Sequence, residues 1–191
     1  VNPADIEIAL KKTPGITAVF TTQCETSTGV VHDIKSISPL VKKYGALMIV
    51  DSITGIGVHQ FLMDEWNIDV AITGSQKGCM MPPGLAFVCV NSSAWGVIEK
   101  ADLPRYYWDF RKMRKDLKDK TTPFTPAVSL VMAMKTAMDM VKKEGLENVW
   151  KRHARLAHAT REGAKALGLE LFAGEYASNV LTAIKAPKGI D

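Results

Sequence analysis

Through the first half of the chain, short continuous apolar runs alternate with segments whose apolar residues recur at helical spacing. ITAVFTTQ (16–23), ALMIVD (46–51), DVAITGS (69–75) and LAFVCV (85–90) are apolar or β-branched stretches of strand length bounded by turn residues. That is the pattern of strands buried on both faces. DIEIALKK reads as a short helix, and DIKSISPLVKKYG sets Ile34, Ile37, Leu40 and Val41 on one helical stripe that stops at Gly45. Pro39 lies inside that stripe, which predicts a kink or a late start. The strand, helix, strand rhythm predicts an α/β fold, with a mostly parallel sheet and flanking helices.

After Ser92 the texture turns helical. SAWGVIEKA, YYWDFRKMRKDLKDK, AVSLVMAMKTAMDMVKKEG and ENVWKRHARLAHATREGAKALG read as helices, the third with Leu130, Met134, Met138 and Val141 on one stripe. The methionines there read as core filler rather than as soft-metal ligands. Two short strand-like runs, LELFA and VLTAIKA, close the chain. The expected organisation is a large domain over 1–145, then a linking helix and the start of a small α+β domain over 146–191.

Composition narrows the classes. Of 191 residues, 47% are hydrophobic and 23% charged, as in ordinary globular proteins, which excludes disordered and collagen-like chains. The net charge of +4 comes from basic residues spread along the sequence except for a cluster over Arg105–Lys120, so no nucleic-acid partner is expected. Cys24, Cys79 and Cys89 form no C-x-x-C pair and predict neither a metal site nor a disulfide framework; a reducing, cytoplasmic setting fits best. No apolar stretch approaches the roughly 20 residues that cross a bilayer, so no membrane association is expected. The chain has no initiator Met and stops just after a strand-like run, and it reads as a piece of a longer protein.

In open α/β sheets, ligands gather outside the carboxyl ends of the strands. Three loops carry polar residues at that edge: Glu25–Gly29, Asp51–Thr54 and Gly74–Gly78. Asp51 ends one apolar run, and Lys77 lies just past the next. A lysine held at a strand exit is of the type whose amine can be deprotonated and used as a nucleophile. In a phosphatase-like site, Asp51 would hold Mg²⁺ or attack phosphorus, but such sites gather further carboxylates, and only Glu25 is at hand. In a pyridoxal phosphate site, Lys77 would form an imine with the cofactor aldehyde, and Asp51 would pair with the pyridine nitrogen.

The stretch VDSITGIGVHQFLMDEWNIDVAITGSQKGCMMPPGLAFV, with its D-S-x-x-x-x-G and G-S-Q-K elements, closely resembles the core of the class V, fold-type I pyridoxal phosphate-dependent aminotransferases. The alanine–glyoxylate, serine–glyoxylate and serine–pyruvate group is nearest. ETSTGVVHDI, TTPFTPAVSL and KEGLENVWKRH are similar to that group in the same order, so the resemblance covers nearly the whole chain. It implies that Lys77 carries the cofactor and moves the substrate proton, and that Asp51 holds the pyridinium. Ile53 would pack under the ring, or simply be buried as core. Ser27 would contact the cofactor near its phenolic oxygen, with Thr26 and Thr28 as neighbouring choices.

Gln76, assisted by Ser75, would bind phosphate. Thr122 or Thr125 would reach the phosphate of a neighbouring subunit, unless either is an ordinary helix N-cap; a homodimer follows. The implied reaction is transamination between alanine or serine and a keto acid such as glyoxylate or pyruvate. The phosphate-cradling glycine turn, the ring-stacking aromatic residue and the carboxylate-gripping arginine would lie outside 1–191, so this stretch alone is expected to be inactive. The alternatives are a lyase or cysteine desulfurase on the same fold, against which Gln76 argues because that branch usually has His there, and a non-catalytic assembly subunit. His32 and His59 read as surface loop histidines, and His153 and His158 as solvated on a charged helix.

Overall fold

The computed structural model describes residues 1–190. In chain order its elements are α1 (Pro3–Lys12), β1 (Ala18–Thr22), β2 (Cys24–Glu25), β3 (Val30–Val31), α2 (Ile34–Lys43), β4 (Leu47–Asp51), β5 (Val70–Gly74), β6 (Ala86–Val90), α3 (Ser92–Ile98), α4 (Phe110–Lys118), α5 (Val128–Glu144) and α6 (Leu146–Ala166), with a short 3₁₀ turn at Gly174–Tyr176. The main sheet has the order β1-β4-β5-β6, and β2 and β3 form a separate antiparallel pair. β1, β4 and β5 run parallel, with Thr22 opposite Asp51 and Asp51 opposite Ile72. β6 returns antiparallel to β5. The mostly parallel sheet with flanking helices is thus the observed architecture.

β4 is buried on one face, not both, whereas β5 begins with the consecutive buried residues Val70 and Ala71. Met48 and Val50 point into the core made with Leu10 of α1 and Ile34, Ile37 and Val41 of α2. Leu47, Ile49 and Asp51, alternating with them, are only half-buried, and Phe20 on β1 is 75% exposed. α1 and α2 cover one side of the sheet, and the opposite side carries the apolar residues that made these runs look doubly buried.

α2 passes through Pro39 without interruption. The hydrogen bond that proline removes would have gone to the carbonyl of Lys35, and both residues are exposed, so that carbonyl can be hydrated. The stripe on α5 behaves as expected: Leu130, Met134, Met138 and Val141 are half-buried around buried Ala137. The two terminal strands do not form. A single bridge, Leu171 to Ile184, replaces them, flanked by the Phe172 and Lys185 amides donating to Ala183 and Glu170 carbonyls. A lone two-stranded pair is too weak to extend without a covering layer.

One buried carboxylate fixes how β5 sits against β4. Asp69, fully buried just before β5, accepts from both the Lys42 ammonium (2.7 and 2.9 Å) and the Met48 amide (2.7 Å), and from the Asn91 side chain (2.9 Å). Burial alone would push its carboxyl up. Hydrogen bonds from Lys42, Met48 and Asn91 outweigh that and hold it below the usual value. Its contribution to stability is therefore present above the ordinary carboxylate range and is lost as the pH falls through it. Asp69→Ala strands the partly buried Lys42 charge and is expected to cost about 3 kcal/mol, measured by urea denaturation.

Candidate active site

The loops leaving β1, β4 and β5 meet at one edge of the sheet. Asp51 closes β4 half-buried; its Oδ1 accepts from the Ile53 amide at 2.9 Å, and its carbonyl accepts from the Gln23 amide at 2.8 Å. Together with Phe20, Thr21, Thr22, Ile49 and Ile72 it lines a cleft of about 340 Å³ on the uncovered face. This combines an apolar floor with a carboxylate at the rim. Ile53 is half-buried in the turn that Asp51 caps, and so far serves the turn.

Behind Asp51 the chain is braced by buried polar groups. Ser52, fully buried, donates its hydroxyl to Gln23 Oε1, and Gln23 Nε2 donates to the Gln60 carbonyl at 3.0 Å. Gly55 is required here because a Cβ would collide with the Gln23 amide. This Gln23–Ser52 pair ties the β1 exit to the β4 exit. It was not among the expected site residues, and its two partners are far apart in sequence with no local pattern to join them.

Lys77 lies three residues beyond β5, half-buried. None of the ion pairs among the described residues involves it. The next residue, Gly78, presses its backbone against the Ile56–Gly57 turn, and an added Cβ would collide with the Ile56 carbonyl. Backbone-to-backbone contact is what brings the Lys77 loop onto the Asp51 loop. Gly78→Ala must push them apart and is expected to lower the thermal midpoint by several degrees, read by thermal denaturation.

Ser75 is fully buried, donating to the Pro82 carbonyl (2.7 Å) and accepting from the Leu85 amide (3.2 Å). It closes the 75–85 loop. Gln76 is exposed, with its amide oxygen folded back toward Gly74. On the β1 side, the Ser27 hydroxyl donates to Glu25 Oε1 at 2.8 Å, alongside the Ser27 amide at 2.9 Å. Those bonds from the Ser27 amide and hydroxyl lower the Glu25 pKa. Thr26 is the residue whose hydroxyl turns to the Asp51 loop, 2.6 Å from the Thr54 hydroxyl.

Thr122 and Thr125 stand apart from these loops, on the exposed segment between α4 and α5. The Thr122 hydroxyl donates to the Phe124 carbonyl at 2.7 Å. Neither is a helix N-cap: α5 starts after Ala127 with no side-chain cap.

Three histidines differ from expectation. His32 is half-buried, with Nδ1 2.7 Å from the Thr22 carbonyl oxygen. His59 is half-buried, with Nε2 3.0 Å from the Ser178 hydroxyl, and His153 is also half-buried. Burial, reinforced for His59 by the charges of His153 and Arg161 and for His153 by Arg152, pushes both below the ordinary imidazole value. His158 is exposed as expected. Among the described residues no group of three or more His, Cys, Asp or Glu could hold a metal.

Chemically, the edge offers a carboxylate with one oxygen not used by the turn, an amine free of salt bridges, several hydroxyls and an apolar floor. That set suits a flat, cationic heteroaromatic ring bearing a carbonyl. Residues 2–186 match the model of a family described as Aminotransferase class-V. The chain is 47% identical over 196 residues to the soluble hydrogenase small subunit of Synechococcus sp., covering 100% of this chain and 50% of that protein. It is 39% identical over 201 residues to a serine–glyoxylate aminotransferase of Methylorubrum extorquens, with 100% and 50% covered. Among solved structures, pyridoxamine–pyruvate aminotransferase from Mesorhizobium loti superposes with a TM-score of 0.94 at 34% identity, again over 100% of this chain and 50% of that one. The chain thus spans about half the length of the relatives it matches.

Proposed function

Because the chain belongs to the class-V aminotransferase family, we propose that it builds the floor and one wall of a pyridoxal phosphate site. The reaction is transamination between a small amino acid, alanine or serine, and a keto acid such as glyoxylate or pyruvate. The observation that carries this reading is the pairing of Asp51 and Lys77 at the exits of adjacent parallel strands, with their loops interlocked at Gly78 and Ile56.

Pyridoxal phosphate, when bound, supplies an aldehyde that captures amines and a ring that accepts electrons. The chain's residues do the rest. Asp51 holds a proton on the ring nitrogen through the carboxylate oxygen that Ile53 does not use. Lys77 Nζ would hold the aldehyde and, once free, would serve as the general base for the proton at the substrate Cα. Ser27 or its neighbour Thr26 would contact the ring's phenolic oxygen; the Thr26 hydroxyl is engaged with Thr54 of the Asp51 loop and that of Ser27 with Glu25. Ile53 would pack beneath the ring.

Gln76 would bind the phosphate, with Ser75 holding its loop, and Thr122 or Thr125 would contribute across a homodimer. Residues 1–145 act as the cofactor domain, and 146–191 link it to a smaller one. Three free cysteines support a reducing, cytoplasmic setting, and no helix among the described residues is long and apolar enough to cross a membrane.

The test supplies the protein at its natural length with alanine or serine and with glyoxylate or pyruvate, and follows the product keto acid. Stoichiometric amino-group transfer supports the proposal. Release of ammonia or sulfide without consumption of a keto acid would replace it by a lyase. A non-catalytic role, the second reading, draws on the relative named as a hydrogenase subunit and predicts neither.

A further inference from the structure

The segment after the 3₁₀ turn packs onto the back of the β2–β3 loop through one buried hydroxyl. Ser178 is fully buried. Its amide donates to the Gly29 carbonyl at 2.8 Å, and Ala177 bridges Val30. Its hydroxyl oxygen accepts from the Cys24 thiol at 3.1 Å and from the Val180 amide at 2.9 Å. Its own proton is therefore left for His59 Nε2, 3.0 Å away. The same nitrogen accepts from the Asn179 amide at 3.2 Å. Arg161 of α6 completes the knot, donating to the Ser178 carbonyl at 2.8 Å.

This bookkeeping fixes the protonation state. A backbone N–H can only donate, so His59 Nε2 must present a lone pair, which places the single imidazole proton on Nδ1. An imidazolium would aim an N–H at the Asn179 N–H and would give the Ser178 oxygen a third donor. We infer that His59, Ser178 and Cys24 form a pH-sensitive clasp, which holds the segment Ala177–Val180 against the Cys24–Gly29 loop while His59 is neutral and releases it when His59 is protonated.

The groups around His59 reinforce that direction. His153 and Arg161 face it from α6 and disfavour a second positive charge. Asp33, His32 and Glu175 lie around the adjoining cleft. Asp33 is committed to the Ser36 amide and hydroxyl, and His32 Nδ1 bonds to the Thr22 carbonyl. Glu175 is the one carboxylate in that cleft not so engaged, and it does not bond to His59. Because burial, with His153 and Arg161, depresses the folded-state pKa, the clasp is at full strength above the ordinary value of 6.5 and weakens as the pH falls below it. The loop it holds is the one carrying Thr26, so the clasp links the C-terminal segment to the cleft edge. The inference stands whether or not that cleft takes pyridoxal phosphate.

Amide hydrogen exchange, corrected for intrinsic rates, tests it on the protein at its natural length without added cofactor. Between pH 7.5 and pH 5, protection of the Ser178 and Asn179 amides is expected to fall by about tenfold or more, the equivalent of one pKa unit, while β4 amides keep theirs. His59→Gln keeps an acceptor that does not titrate and should hold the protection level across that range. Ser178→Ala should leave these amides weakly protected at both pH values. Equal protection at both pH values in the unaltered protein, an unchanged pH response in His59→Gln, or a parallel loss in β4 would each overturn the clasp.

Discussion

Replacing Lys77 by alanine is expected to lower kcat by about four orders of magnitude or more, while leaving the thermal midpoint nearly unchanged. The asymmetry follows from where the residue sits. Lys77 is half-buried and takes part in no ion pair among the described residues, so its removal strands no charge and opens no core cavity. Its neighbours hold the loop without it, through the Ser75 bonds to Pro82 and Leu85 and the Gly78 contact with Ile56. Lys77→Arg separates charge from chemistry, because a guanidinium stays protonated and offers no nucleophile. The arginine variant should be as inactive as the alanine variant. Recovery of turnover in Lys77→Arg would show that the residue acts only as a cation.

Asp51→Asn is expected to reduce kcat by about 10²- to 10³-fold, the size of effect seen when one electrostatic stabiliser is removed from a reacting charge. The amide keeps an oxygen for the Ile53 N–H, so the turn survives, but it has no charge to hold a proton on the ring nitrogen. The cofactor should still attach, because attachment depends on Lys77. The expected signature is thus a normal visible spectrum with slow turnover, recorded by stopped-flow absorbance. Equal activity in Asp51→Asn would remove the carboxylate from the mechanism. Asp69→Ala makes the contrast: it lies at the opposite end of β5 and is expected to lower stability while leaving the chemistry intact.

Asp51 and Lys77 stand out in the sequence because position, not just identity, marks them. A polar residue at the exit of a buried strand has few structural reasons to be there, and the run lengths located the exits of β4 and β5 to within a few residues. The parallel pairing of β1 with β4 was legible from the helical periodicity between them, but no helix joins β4 to β5, and the reversal of β6 was not legible, since an apolar run carries no direction. Nor could it reveal that Phe20, Ile49 and Ile72 face away from the core, because an apolar side chain reads the same whether or not a layer covers it.

Within the polar loop Glu25–Gly29, no period says which hydroxyl turns where. The structure puts Ser27 on Glu25 and Thr26 on Thr54, a choice made by a contact 28 positions away. The same limit hid the Ser178 clasp, whose Cys24 and His59 partners lie 154 and 119 positions off. His59 looked like a surface residue because it is a lone histidine on a loop, and its burial comes from a segment late in the chain. Packing at that separation leaves no mark in local composition.

Borohydride reduction followed by peptide mass spectrometry bears most directly on the central assignment. The protein at its natural length, incubated with pyridoxal phosphate and reduced, should carry a single pyridoxyl group on the peptide containing Lys77. A pyridoxyl group on another lysine, or none, would contradict the assignment of Asp51 and Lys77 to one cofactor site.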